Sequence, residues 1–179
     1  MLKPGDIAPP FDMPSAVGDR AGRLRLSQID SEMVVLFFYP HDFSFICPTE
    51  VVGFHKAREA FAAESASIVA VSVDDPQTHL RWARELGGIG YPLLADEGGA
   101  LARAYGVFDE TAGKAMRATF ILDARRSIVY SVACTVNVGR SVSETLRVVR
   151  ALRSGRMCPA DWQPDRNPAP PITTDSSSG

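Results

Sequence analysis

The sequence predicts an α/β domain in which a mixed central sheet is flanked by helices. Apolar runs at residues 33–39 and 67–73 are typical of strands buried on both faces, and helical patterns alternate with such runs along the chain. The length of 179 residues fits one domain of roughly 150 residues with an appendage. We expect the domain at residues 1–154 and a C-terminal arm at residues 155–179. The tail of this arm, from Pro159, is proline-rich and lacks apolar periodicity, which is typical of a mobile segment.

The first elements are short strands and turns, followed by a buried strand and a long helix. Residues 22–29 alternate enough to predict one strand, and the run 33–39 ends at Pro40. A helix is expected to begin near Cys47, because Pro48 suits a first helical turn in which its missing N–H costs nothing. The apolar face of this helix is predicted from Val51, Phe54, Ala57 and Phe61.

The middle of the chain continues the alternation of strands and helices. The strand at 67–73 leads to a helix that begins after Asp75 and ends at the glycine pair starting with Gly87. A short strand at 91–96 and a short helix at 100–105 follow.

A hairpin and a last helix complete the predicted domain. Residues 116–123 and 127–134 are predicted to be the two hairpin strands. Ser141 and Glu144 have the spacing of a capping box for a helix that runs through Leu152.

Composition and charge exclude several classes of partner. The net charge of −2 arises from 19 basic and 21 acidic residues without a block of like charge, so no nucleic-acid-binding surface is predicted. The apolar run 33–39 is far shorter than the ~20 residues that span a bilayer. The first residues lack the apolar stretch of a signal peptide, and we therefore expect a cytoplasmic protein without a membrane partner.

Cysteine usage favours a redox or catalytic role over a structural one. The three cysteines are Cys47, Cys134 and Cys158. An odd number without CxxC spacing argues against a structural disulfide framework. The three histidines are His41, His55 and His79, and none of them has zinc-site spacing, so no metal is expected.

The segment with the most chemical information is residues 37–50, FFYPHDFSFICPTE. Its order of strand, loop and helix places Cys47 in the first turn of a helix at the carboxyl end of a buried strand. Helix N-terminal amides and the helix dipole favour an anion at this position, and the thiolate is the reactive form of cysteine. The segment therefore predicts a nucleophilic thiol.

This segment also resembles a known family. Pro40, Ser44 and Cys47 stand as Pro-x-x-x-Ser-x-x-Cys, which resembles the active-site signature of the peroxiredoxins. The longer string 37–50 is similar to the typical two-cysteine group, which includes the alkyl hydroperoxide reductase C subunit. Further matches in the family's order are Trp82 in HLRW, Arg117 in MRATFILD, residues 138–147 and Cys158 in MCPADW. The resemblance implies a thioredoxin-like fold.

The resemblance also implies a role for each matching residue near the thiol. Cys47 would attack a peroxide and become a sulfenic acid. Ser44 would hydrogen-bond the peroxide, Arg117 would stabilise the thiolate and polarise the O–O bond, and Pro40 would shield the site from water. Glu50 would help to hold an arginine in place.

We make separate predictions for Cys158, Cys134 and Trp82. By resemblance, Cys158 resolves the sulfenic acid of Cys47 on the partner subunit, although sequence separation alone leaves a bond within one chain open. Trp82 is expected to be structural and to shape the surroundings of Cys47. Cys134 lies in an apolar strand, where core packing is favoured over a role as a third thiol that relays or diverts the disulfide.

The implied enzyme is a thiol peroxidase without haem, flavin or metal. Its substrates would be hydrogen peroxide and small organic hydroperoxides, and its reductant thioredoxin or a dedicated flavoprotein disulfide reductase. The resemblance implies a homodimer, often assembled into a ring of five dimers, and strand 127–134 is a candidate dimer edge. Two alternatives stay open at this point, a peroxide sensor or redox relay and a holdase chaperone.

Overall fold

A computed structural model describes residues 1–165, which fold around a seven-stranded mixed sheet. The strands are β1 Asp12–Val17, β2 Arg20–Arg25, β3 Met33–Phe38, β4 Ala66–Ser72, β5 Leu93–Ala95, β6 Phe108–Asp109, β7 Lys114–Ala115, β8 Arg117–Leu122 and β9 Ile128–Cys134. The helices are α1 Cys47–Ala63, α2 Pro76–Glu85, α3 Ala100–Ala104 and α4 Val142–Ser154, with a 3₁₀ turn at Leu26–Gln28.

The sheet confirms the predicted mixed α/β architecture. Its strand order is β2-β1-β5-β4-β3-β8-β9, and β6 and β7 form a separate two-stranded ribbon. β3 pairs in parallel with β4, and β4 with β5, whereas the remaining pairs of the large sheet are antiparallel. β2 and β9 are therefore the two edges.

The central strand β3 is buried on both of its faces, as its continuous apolar run predicts. Val34 and Leu36 belong to the apolar cluster on one side of the sheet, and Val35 and Phe37 belong to the cluster on the other side. The second cluster also contains Cys47 at the start of α1. The reactive end of α1 is thus packed directly against the centre of the sheet.

The helix starts follow local signals in the sequence. α1 begins at Cys47, with Pro48 in its first turn, as expected. Asp75 caps α2 by accepting hydrogen bonds from the backbone N–H groups of Gln77 and Thr78. Ser141 caps α4, but the expected capping box is only half formed. The carboxylate of Glu144 binds the guanidinium of Arg147 instead of returning to the Ser141 N–H.

The N-terminal region and the ribbon differ from the expectations. The single strand predicted at residues 22–29 is wrong in its bounds. The structure has a hairpin, β1–β2, in which β2 ends at Arg25, and the 3₁₀ turn Leu26–Gln28 follows it. β1 lies between β2 and β5, and this long-range pairing forms a strand from residues without an alternating apolar pattern. The β6–β7 ribbon was not predicted either, because its turn depends on the Asp109 side chain, which accepts from the Thr111 and Ala112 N–H groups.

Among residues 1–165, no helix combines the length and the apolar character needed to cross a membrane. The division into a domain at 1–154 and an arm at 155–179 stays a prediction. The arm is described only as far as Asp165, and most of the tail for which mobility was expected lies outside the described residues.

Candidate active site

Cys47 occupies the first turn of α1 and is completely buried. The strand β3 ends at Phe38, and the loop that follows it, residues 39–46, delivers the chain to this helix start. The Oγ atom of Ser44 accepts a hydrogen bond from the Cys47 backbone N–H at 3.2 Å. The sequence expectation that the thiol sits at a helix N-terminus beyond the carboxyl end of a buried strand is confirmed.

Arg117 brings a cation to the thiol. Its Nη1 atom lies 3.3 Å from the Sγ atom of Cys47, at hydrogen-bonding distance for sulfur. Its Nε atom donates to the Val136 carbonyl oxygen at 2.7 Å, which fixes the plane of the guanidinium. Arg117 is only 3% exposed, so solvent does not screen this contact. A cation so placed stabilises negative charge that develops at this position during a reaction.

Glu50 lies one helical turn after Cys47 and connects two arginines. Its Oε2 atom accepts from Arg117 Nη1 at 2.6 Å and from Arg140 Nη2 at 3.0 Å. Its Oε1 atom accepts from the Nε and backbone N atoms of Arg140, both at 2.8 Å. The resemblance suggested that Glu50 holds an arginine, and the structure shows that it contacts two.

Arg140 is the site residue for which the sequence analysis gave no role. Its Nη1 atom donates to the carbonyl oxygens of Phe38 and Ala118 at 2.8 and 2.7 Å, at the ends of β3 and β8. The residue lay inside the matching run 138–147, and the carboxylate of Glu50 was the only signal that pointed to it. Its guanidinium also lies over the ring of Phe37, 5.3 Å from the ring centroid.

The charges of this cluster leave an excess of one positive charge beside the thiol. Arg117 and Arg140 are cations, and Glu50 is their shared counter-ion. Burial of the Glu50 carboxyl disfavours its ionised form, but the hydrogen bonds and charge of Arg140 and the charge of Arg117 outweigh it and hold the pKa of Glu50 below its ordinary value. The site is therefore built to stabilise one further anion, at the position of the Cys47 sulfur.

Aromatic packing surrounds the loop before Cys47. Trp82 on α2 is buried and stacks on Tyr39, with ring centroids 5.8 Å apart. It also lies against the ring of Phe43 at 6.2 Å. Pro40, the second residue of this loop, is buried as well. The roles expected for Trp82 and Pro40 stay predictions.

The structure keeps the other two cysteines apart from Cys47. All three are free thiols. The Sγ atom of Cys158 lies at the end of α4, 3.5 Å from Ser154 Oγ and 3.8 Å from the Ala151 carbonyl oxygen. Cys134 is only partly buried, and the expectation that it packs in the core is wrong, because it ends the edge strand β9.

Among residues 1–165, no group of three or more His, Cys, Asp and Glu side chains is placed to hold a metal ion. The groups that the cluster offers for chemistry are a buried thiol, two guanidinium groups, one carboxylate and the helix amides. Such an arrangement suits nucleophilic attack by sulfur with electrostatic stabilisation of the charge that moves.

Comparison with known proteins gives consistent results. The model of the AhpC/TSA family matches residues 4–131. A putative peroxiredoxin in the rubredoxin operon of Clostridium pasteurianum is 40% identical over 166 residues, which cover 88% of this chain and 93% of that protein. The thioredoxin peroxidase of Fasciola hepatica is 37% identical over 174 residues, which cover 92% and 90% of the two chains.

The fold is shared with solved structures. The reduced 2-Cys peroxiredoxin of Plasmodium vivax superposes with a TM-score of 0.86 at 31% identity, and the match covers 94% of this chain and 93% of the other. This likeness confirms the thioredoxin-like fold that the sequence resemblance implied.

Proposed function

The chain belongs to the AhpC/TSA family of peroxiredoxins, and we propose that it reduces peroxides through a cycle of two cysteines, Cys47 and Cys158. It is a peroxide-reducing oxidoreductase. The observation that carries the proposed mechanism is the 3.3 Å contact between Arg117 Nη1 and the buried Cys47 Sγ at the N-terminus of a helix.

The first step is attack of the Cys47 thiolate on one peroxide oxygen. The S–O bond forms as the O–O bond breaks, and the leaving oxygen takes a proton to become water or an alcohol. Cys47 is oxidised to a sulfenic acid and the peroxide is reduced. Charge moves from the sulfur to the leaving oxygen, so a cation that touches the sulfur and lies beside the bound peroxide lowers the barrier.

Each neighbour supports that step in a different way. The hydroxyl of Ser44 hydrogen-bonds the peroxide as well as capping the helix. Pro40 limits the access of water. Glu50 and Arg140 act as positioning residues, because they hold the guanidinium of Arg117 at the sulfur without contact to the peroxide. The hydrogen-bonded cluster thereby supports the proposal that the active site is organised before substrate arrives.

The second step forms a disulfide between subunits. The Cys158 thiolate of one subunit attacks the Cys47 sulfenic sulfur of the partner subunit, forms an S–S bond and releases the oxygen as water. Because Cys47 is fully buried and Cys158 lies at the end of its own α4, the first turn of α1 must unwind and the arm must move. An external dithiol of the thioredoxin type then reduces the disulfide.

The assembly we propose is a homodimer joined along β9, with a ring of five dimers as a larger form. The support is that β9 is an unpaired edge of the sheet in the single chain. We propose the cytoplasm as its compartment, where thiol reductants keep cysteines such as Cys47 reduced. Cell fractionation and light scattering test these two points.

The test of the mechanism is peroxide consumption with thioredoxin, thioredoxin reductase and NADPH. Wild type should turn over, Cys47→Ser should be inactive, and Cys158→Ser should stop after one equivalent unless a small thiol is supplied. Cys134→Ser is the matched control and should behave as wild type. Non-reducing electrophoresis should show a Cys47–Cys158 dimer after oxidation.

Other outcomes would contradict particular parts of the proposal. A wild type that performs one fast turnover keeps the Cys47 chemistry but excludes this reductant. Stable mixed disulfides with other proteins and poor turnover would favour a redox relay. Suppression of aggregation that persists in Cys47→Ser would favour a chaperone.

A further inference from the structure

A buried ion pair fastens the loop that precedes the reactive cysteine. The Oδ2 atom of Asp42, in this loop, lies 2.8 Å from Nδ1 of His79 on α2, and both side chains are completely buried. The second carboxylate oxygen of Asp42 accepts a hydrogen bond from the Tyr39 hydroxyl at 2.7 Å. The mechanism proposed above uses neither Asp42 nor His79, so the pair needs its own explanation.

Both ring nitrogens of His79 face acceptors. Nδ1 faces the Asp42 carboxylate, and Nε2 lies 3.1 Å from the carbonyl oxygen of Leu94 on β5. A neutral imidazole can donate through only one nitrogen, whereas the imidazolium satisfies both contacts. The geometry therefore favours a charged His79 that is bound to the loop on one side and to the sheet on the other.

Further contacts attach the same loop to the end of β4 and to the segment between β4 and α2. The Asp42 backbone N–H donates to Asp74 Oδ2 at 2.8 Å, and the same oxygen accepts from the Ser72 hydroxyl at 2.7 Å. The next residue, Phe43, has a φ of +53°, a left-handed conformation that is strained for a bulky side chain. Such strain persists only where the surroundings hold the backbone in place.

The His79–Asp42 contact lies in the part of the loop that carries two residues of the proposed peroxide site. Asp42 lies midway between Pro40 and Ser44, two residues from each. In the proposed cycle, the loop must keep both residues in place while Cys47 reacts with peroxide. It must then open before Cys47 can form a bond with the sulfur of Cys158. An anchor in the middle of the loop therefore stabilises the peroxide-reactive conformation relative to the open one.

We propose that the His79–Asp42 pair is a positioning latch, which sets how long oxidised Cys47 stays in the closed site before the loop opens to form the disulfide. The inference rests on the proposed two-cysteine cycle. A tighter latch prolongs the life of the buried sulfenic acid, so that a second peroxide can convert it to sulfinic acid. A weaker latch favours the disulfide.

The pH dependence expected of His79 provides a further test of the latch. Burial disfavours the charged ring of His79. This effect is outweighed by the hydrogen bond and charge of Asp42, by the Leu94 carbonyl and by the charge of Asp74. The pKa of His79 is therefore raised above its ordinary value of 6.5. The Tyr39 hydroxyl is the other titratable group on the pair. With a raised pKa, the latch is complete below pH 6.5 and is lost as the pH rises through the value in the folded protein.

The first experiment is hydrogen exchange of the reduced protein over residues 40–50, with His79→Gln and Asp42→Asn as variants. Loss of one hydrogen bond to a charged group corresponds to at least about tenfold more frequent opening. His55→Gln is the matched control, because its ring only accepts a hydrogen bond from the Gly90 N–H. This measurement needs no peroxidase activity, so unchanged exchange in both variants would overturn the latch independently of the proposed function.

The second experiment measures the ratio of Cys47 sulfinic acid to disulfide by intact mass at high peroxide. His79→Gln should lower the ratio several-fold, and the ratio of wild type should fall with rising pH above 6.5 while that of the variant changes less. Val69→Ala, in the core on the other face of the sheet, controls for lost stability. If His79→Gln leaves the ratio at the wild-type value, or lowers it no more than Val69→Ala does, the pair is structural only and the coupling to resolution is wrong.

Discussion

The Glu50→Gln substitution should weaken both the fold and the first chemical step. Glu50 accepts four hydrogen bonds from Arg117 and Arg140 in the buried cluster. Glutamine keeps the shape of the side chain, but its one carbonyl oxygen can replace only one of the two carboxylate oxygens. Two of the four hydrogen bonds are therefore lost, and the amide –NH₂ then faces a guanidinium.

The size of the effect follows from this count. Two hydrogen bonds to charged groups, at ~1.5–3 kcal/mol each, amount to about 3–6 kcal/mol. Removing one partner of a buried ion pair costs about 3–5 kcal/mol, and we expect the free energy of unfolding to fall by that amount. Arg117 loses its anchor at the same time, and a displacement of about 1 Å at the thiol slows sulfenic acid formation by ~100-fold.

Urea unfolding and stopped-flow reaction with hydrogen peroxide measure these two quantities. Glu144→Gln is the matched control, because its ion pair with Arg147 is on the surface and contributes less than ~1 kcal/mol. The lowered pKa of Glu50 adds a pH test: the stabilisation is present above the ordinary value of 4.5 and is lost as the pH falls through the lower value in the folded protein. A Glu50→Gln protein with wild-type stability, rate and acid response would refute the reasoning.

Substitutions at three further positions test individual contacts. Arg117→Lys keeps the charge but loses the Nε hydrogen bond to Val136, and the rate of reaction with peroxide should fall by ~10²–10³-fold in stopped flow. Ser44→Ala removes the acceptor at the start of α1 and should lower the free energy of unfolding by ~1 kcal/mol in urea, and Ser44→Thr should restore it. Gly99→Ala should destabilise the fold by about 2–4 kcal/mol, because Gly99 has a φ of +73° and an added Cβ would overlap the Phe108 ring; unchanged urea unfolding would contradict this account.

The elements around the thiol were predictable because their signals are local. The apolar run before Pro40 and the proline after Cys47 lie within one short segment, and they define a buried strand and a helix start without knowledge of the rest of the fold. Ser44 and Glu50 lie in the same segment, so the family signature placed them correctly beside the thiol.

Long-range contacts are the part that the sequence did not disclose. Arg140 is 90 residues from Glu50, and His79 is 37 residues from Asp42, so no spacing rule relates them. Their roles depend on which strands become neighbours and where those strands end. Cys134 shows the same limit, since an apolar strand can lie in the centre or at the edge of a sheet and only the strand order decides its exposure.

Arg140 ties the reactivity of the protein to the integrity of its sheet. Its Nε and Nη2 atoms bind the Glu50 carboxylate that holds Arg117, while Nη1 binds the carbonyl oxygens of Phe38 and Ala118, the last pair between β3 and β8. A substitution that changes the reactivity of the thiol through Arg140 must therefore also change the hydrogen bonds at the ends of two central strands.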